Sequence, residues 1–348
     1  MEDRNSNKKI NYSIEFLRFL LCFWVVLHHC CRHVGSYKGR FHVPTFMILS
    51  FYFYYNSLNS KIINKIEQRF QRILIPYIIW PIFTFIFNII IVRIFDFTNF
   101  QRKLKLKDLV YQLIFGFKFQ VVFYYQFNLI FLTIIFTIIS ILFNNNFIII
   151  FQIFIIFAYF FQYNGWNKYF FSQYSPVIKI SLGSFLELLP FAVAGTTLHY
   201  LDVIKKLKRS RKLSIIFIEA IIFFILKFDV FVKIKGFFFP GIFLNIGGIG
   251  LFILFSLFSF QNKELVFFLK FITKFTGGIY YVHKACYFVL KKELLFVKKH
   301  TFHGSLLIYL TSYIICYFGN KYTYKTKLKF LFLLALALNL EFFVSLML

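Results

Sequence analysis

Long apolar runs, broken by short basic or amide-rich segments, make up most of this chain, and within the runs polarity does not alternate. About 20 consecutive apolar residues suit a helix crossing lipid, whereas barrel strands would alternate with a period of two. The pattern predicts a polar tail over 1–11, a first span over about 13–31 and a second over about 43–59. A third opens near Ile73, behind the basic segment 61–72, with Pro76 kinking it. Residues 100–120 read as a loop with an interfacial amphipathic helix. Further spans follow at about 122–143, 147–163, 177–201, 213–232, 238–260, 272–290 and 304–319, and the tail 330–348 is long enough for one more. The expected fold class is all-α, a polytopic transmembrane bundle of about 10–11 spans. The expected domains are the tail 1–11, a membrane domain 12–320, and a basic linker with an extra helix over 321–348.

Composition strengthens this picture. The chain is 59% hydrophobic and only 15% charged, a balance that no soluble fold can hide. The first run carries Glu15 and Arg18 and lacks a small-residue cleavage site, so it is expected to be a retained span rather than a signal peptide. The net charge of +27 would suggest nucleic acid in a soluble protein. Here Lys and Arg sit between the apolar runs, so anionic headgroups of membrane lipids are the expected partners, an anionic cofactor comes second, and no nucleic acid is expected. Dense basic segments at the N-terminus, 61–72, 205–212 and 321–329 favour a cytosolic N-terminus, against the weaker opposing segments 102–107 and 291–299. The five cysteines, Cys22, Cys30, Cys31, Cys286 and Cys316, form no C-x-x-C pair, so neither a metal site nor a disulfide framework is expected. P-loop, G-x-S-x-G, H-E-x-x-H and dinucleotide fingerprints are all missing from the sequence.

Candidate chemistry concentrates in the first span. Glu15 and Arg18 are one turn apart, and His29 lies eleven residues beyond Arg18. At 100° per residue that is about three turns with an offset of ~20°, so the three share a face, and Arg18 and His29 are about 16 Å apart along the axis. Ionisable groups inside lipid usually face a bundle interior or a watery passage, which makes His29 a candidate proton-transfer group and Glu15 and Arg18 candidate participants. His28 points ~100° away and is less aligned. The alternatives are a hydrogen-bonded or snorkelling histidine, and a Glu15–Arg18 pair that simply neutralises itself near the inner surface. Lys65, Arg69 and Arg72, at i, i+4 and i+7, form one basic face, either a positive-inside anchor or a clamp for phosphate. Tyr280 and His283, behind the Gly277–Gly278 pair, are either a polar packing corner or a second wall of the same cavity. Glu187, beside Pro190, reads as a buried acid that needs a partner. Buried charge above a basic inner face also suits a transporter or flippase of an anionic or lipid-linked substrate.

Four segments, in order, resemble the acyltransferase-3 family of integral-membrane acyltransferases. Tyr12-Ser-Ile-Glu15-Phe-Leu-Arg18, leading to His29, resembles the family's acidic-x-x-Arg opening and its essential histidine eleven residues later. Val43-Pro44-Thr-Phe46-Met-Ile-Leu-Ser50 is similar to a Val-Pro-Leu-Phe run ending in Ser-Gly, with Phe51 in place of the glycine. Arg69-Phe-Gln-Arg72-Ile-Leu-Ile-Pro76 resembles the paired arginines before a proline, and Gly278-Ile-Tyr280-Tyr-Val-His283 the Gly-Ile-Tyr-x-x-His signature. Leu189-Pro190-Phe191 to Gly195 is a weaker fifth match, and Phe123-Tyr124 stands where many members have Trp-Phe. The resemblance implies transfer of an acyl group, often acetyl, from cytosolic acyl-CoA (acetyl-CoA) as co-substrate to a hydroxyl of an extracytoplasmic glycan or lipid-linked sugar at the cell membrane. It implies His29 as the essential catalytic residue and Arg69 and Arg72 near the coenzyme's phosphates.

Overall fold

The computed structural model describes residues 11–30, 41–58, 62–95, 105–116, 123–143, 150, 152–153, 176–226, 240–294, 297 and 302–323. Regular structure among the described residues is entirely helical, as the apolar periodicity predicts. The helices are α1 Tyr12–Cys30, α2 His42–Leu58, α3 Ile62–Phe95, α4 Leu106–Phe115, α5 Tyr124–Phe143 and α6 Pro176–Tyr200. They continue with α7 Val203–Arg209, α8 Arg211–Leu226, α9 Pro240–Leu257, α10 Lys263–Thr273, α11 Thr276–Glu293 and α12 Phe302–Thr323. The expected spans over 147–163 and 330–348, the tail 1–10 and the segment 102–104 lie outside the described residues, apart from short pieces at 150–153.

Local chemistry sets several helix ends. Asn11 caps α1, its Oδ1 accepting the Ser13 N–H at 3.1 Å, and Glu15 in the first turn complements the helix dipole. Asn262 caps α10 by accepting the Leu265 N–H at 3.0 Å. That cap starts a helix the sequence pattern does not predict, separated from α11 by a turn at 274–275. In α4, Asp108 accepts the Lys105 N–H at 2.9 Å, and Gly116 ends the helix in the left-handed region with φ +69°, where a side chain would also overlap Phe127. The third span begins earlier than expected, since α3 is helical from Ile62 and runs through both Pro76 and Pro81.

Among the described residues, three stretches are long and apolar enough to cross a membrane: α1, α5 and residues 263–284. Large apolar side chains also stand exposed in helical stripes, with Phe131, Ile134, Ile138, Ile141 and Leu142 on α5 and Leu306, Leu310 and Ile314 on α12. Buried polar residues such as Asn128, Thr133 and Ser312 lie on the inward side of the same helices. Apolar stripes outside, with polar side chains kept among the buried residues, is the arrangement expected when the solvent is lipid.

α1 sits between two cores. Ile14, Leu17 and Leu21 pack into one with α2, α5, α6 and α9. Cys22, Val26 and Cys30 pack into the other with α11 and α12. Glycines permit the closest approaches. Gly195 of α6 lies against the Ile48 backbone of α2, Gly248 of α9 faces Pro44, Thr45 and Ile48, and Gly278 of α11 faces Cys316 of α12. α2 is therefore held close between α6 and α9, the glycines letting the helices approach while large side chains such as Tyr52, against Phe252 and His199, fill the remaining contact.

Candidate functional site

The last turn of α1 presents His28 and His29 to α2 and α11. The rings form a row. His42 lies 5.3 Å from His28, His28 lies 5.4 Å from His29, and His29 lies 5.6 Å from His283, the last two planes being 21° apart. Tyr280 continues the row, 6.2 Å from His283 and 6.2 Å from Tyr125 of α5. The sequence-predicted residues His29, His283 and Tyr280 are thus brought together. His28, which helical spacing turned away, joins them because His42 packs on it. His42 itself has no sequence signal, since it meets the cluster only through the α1–α2 packing.

His283 is fully buried. Its Nδ1 lies 3.2 Å from the Ile279 carbonyl oxygen, and because a carbonyl can only accept, Nδ1 carries the proton and Nε2 keeps a lone pair. That Nε2 has no hydrogen-bond partner among the described residues. A buried polar atom left so costs about 1–3 kcal/mol, a cost that a ligand donating a hydrogen bond would remove. Among the described residues no group of three or more His, Cys, Asp or Glu side chains is arranged to hold a metal ion.

The other end of α1 behaves differently. Arg18 donates to both carboxylate oxygens of Glu15, at 3.0 and 3.1 Å, and the two side chains are 46% and 28% exposed. They form a local ion pair and do not join the histidine row.

Within the basic face expected of Lys65, Arg69 and Arg72, the two arginines have different surroundings. Arg72 is exposed, whereas Arg69 turns into the bundle, and the side chain of Lys65 lies outside the described residues. Arg69 donates to the Ser50 carbonyl, the Ser50 hydroxyl and the Thr133 hydroxyl, each at 3.1 Å. Its guanidinium lies 4.1 Å over the Tyr54 ring and 5.2 Å from that of Phe51. Tyr54 in turn hydrogen-bonds Thr137. Arg69 therefore ties α2, α3 and α5 together, because five donors on one planar group find acceptors there that water would otherwise supply. Glu187 is exposed, not buried, because the turn of α6 that carries it faces away from the core formed by Leu188 and Leu189.

Phe51, standing where the family resemblance places glycine, is wholly buried against Phe136 at 4.7 Å, with Arg69 above it. Removing it would open a cavity under a partly buried cation. Phe51→Ala is expected to destabilise the protein by about 3–5 kcal/mol, read as a lower midpoint of thermal unfolding in detergent. An unchanged midpoint would mean that this ring is not part of the packing.

The sequence matches the acyltransferase domain family named acyltransferase-3 over residues 11–321. No curated protein and no solved structure matches the chain. The family match runs continuously from the cap of α1 to the last turns of α12, through all four motif segments and both walls of the histidine row. The chain, whose described residues are helical and include three stretches apolar enough to cross a membrane, belongs to the acyltransferase-3 family and is a membrane acyltransferase.

Proposed function

We propose that this protein moves an acyl group, acetyl in the simplest case, from acyl-CoA on the cytosolic side of the cell membrane to a hydroxyl of an extracytoplasmic glycan or lipid-linked sugar, with His29 at the point of transfer. The observation that carries this reading is the position of the His29 ring, set among the rings of His28 and His283 at the end of α1 remote from the Glu15–Arg18 pair. An imidazole so placed can take a proton from an alcohol or carry the acyl group itself, and both roles need a neutral ring. The donor is expected on the side of the densest basic segments. There Arg72 and the exposed run Lys205, Lys206, Lys208, Arg209, Arg211 and Lys212 offer cations for the coenzyme's phosphates and for anionic headgroups. A water-accessible passage beside α1 would join the two sides.

The test is labelled acetyl-CoA supplied to membranes that contain the protein, followed by mass spectrometry of surface glycans and lipids from cells with and without the gene. An added acyl group present only with the gene supports transfer and names the acceptor. Movement of an unmodified substrate between compartments, with no labelled product, would instead make the protein a carrier.

Arg72 and Arg69 separate donor binding from structure. Arg72→Ala is expected to raise KM for acyl-CoA about tenfold, with kcat and thermal stability unchanged, because an exposed guanidinium contributes binding without holding the fold. Initial-rate measurements over a range of acyl-CoA concentrations check this, and an unchanged KM removes Arg72 from the donor site. Arg69→Ala, by contrast, loses the ties to Ser50 and Thr133 and lowers stability as well.

A further inference from the structure

We propose that His283 is the base that deprotonates the acceptor hydroxyl, its Nε2 taking the proton while His29 carries the acyl group. This division of labour holds only if the chain is the acyltransferase proposed above. The sequence supplies the first half of the argument. His283 follows Ile279 by one helical turn, so the ring can reach back to the carbonyl of residue i−4. The structure shows that contact at 3.2 Å, which fixes the proton on Nδ1 and aims a lone pair at Nε2 away from the backbone. The side chain has no exposure, and Nε2 meets no donor among the described residues.

His29 is the neighbouring ring, nearly parallel at 5.6 Å, and no hydrogen bond joins Nε2 to it. A proton passing between the two rings therefore needs a hydroxyl between them. An alcohol placed there would donate to Nε2 and present its oxygen to whatever His29 carries.

The chemistry balances in two steps. A lone pair of the His29 ring attacks the thioester carbonyl, a C–N bond forms and the C–S bond breaks. The sulfur leaves with the electron pair, and the proton shed by the acylated ring converts the thiolate to a thiol. The acceptor oxygen then attacks the acyl carbon, a C–O bond forms and the C–N bond breaks. The hydroxyl proton goes to His283 Nε2, and once the ester has left, a water or the next acceptor hydroxyl entering between the rings relays it to the His29 nitrogen that has recovered its electron pair. Neutral His283 and neutral His29 are regenerated, with ester and free coenzyme as products.

Two readouts on membranes bearing the full-length protein and radiolabelled acetyl-CoA test this: free coenzyme thiol, and label in alkali-labile ester. The native membranes supply the acceptor. His283→Gln can still donate to the Ile279 carbonyl but cannot serve as a base. It is expected to keep the initial thiol release, stoichiometric with protein, while ester formation falls at least ~100-fold. His29→Ala is expected to lose both signals. In His283→Ala, added imidazole is expected to restore ester formation about tenfold or more, and more strongly with more basic imidazoles, a response that a merely structural role would not give. The assignment is overturned if His283→Gln forms ester at the wild-type rate, if it loses the thiol release together with the ester, or if no imidazole restores His283→Ala. If the wild-type protein itself releases no thiol and transfers no label, the acyltransferase reading falls and this assignment with it. If only the His283 variants behave as wild type, the reading stands and the assignment alone fails.

Discussion

Membranes carrying His29→Ala are expected to transfer no acyl group above background, a loss of at least ~1000-fold, while the protein accumulates and inserts as the wild type does. The effect is large because the imidazole is asked to be a reactant. No neighbouring ring can replace it in place, since His28 is packed on His42 and His283 is committed through Nδ1 to the Ile279 carbonyl. Folding should survive, because the His29 ring touches other rings and no hydrogen bond to it is found among the described residues. His28→Ala is the paired control. Its ring supports His29 from the side, so a loss of about tenfold or less is expected, from imprecise placement alone. Label incorporated from acetyl-CoA, normalised to protein in the membrane, distinguishes the two. Substantial transfer by His29→Ala would remove this residue from the chemistry. An equal loss in both variants would show that the ring row acts as a structural unit.

The second large effect is structural. Gly195→Val is expected to prevent α2 and α6 from closing. A Cβ at position 195 would overlap the carbonyl of Ile48, and both sides of that contact are backbone, which has no rotamer to give. The two helices would have to separate. Separation would disturb Ser50 and Phe51, two and three residues further along α2, and through them the ties by which Arg69 of α3 holds α2 and α5. A cost above ~3 kcal/mol is expected, enough to leave little folded protein in a marginally stable chain. Gly277→Ala supplies the contrast, because nothing lies within 4 Å of a Cβ there. Replacing an exposed helical glycine by alanine should be neutral or stabilising, by up to ~1 kcal/mol. Thermal unfolding of both variants in the same detergent gives the comparison. A wild-type midpoint for Gly195→Val would mean that α2 and α6 do not meet at this glycine.

Several elements were legible because they depend on spacing along one helix. The eleven-residue interval from Arg18 selects His29, and the three-residue interval from Tyr280 selects His283. Both follow from helical geometry, so both survive into the structure as neighbours of one ring row. Arg69 shows the limit of that reasoning: helical spacing leaves it only about 60° from Arg72, but Ser50 and Thr133 on neighbouring helices draw it inward while Arg72 stays exposed. Glu187 departs in the opposite sense: its place within an apolar run suggests burial, but α6 has an exposed edge and the side chain lies on it.

By itself the sequence determined the solvent and the register. Runs of apolar residues can satisfy their backbone in lipid only as helices, and a helix fixes which of its own residues share a face. Tertiary structure decided which faces meet. It placed His42 beside His28, turned Arg69 into a brace between α2, α3 and α5, and left the Nε2 of His283 without a partner among the described residues. These outcomes depend on how closely backbones can approach at Gly195, Gly248 and Gly278, which is settled by shape complementarity between helices distant in sequence rather than by periodicity within any one of them.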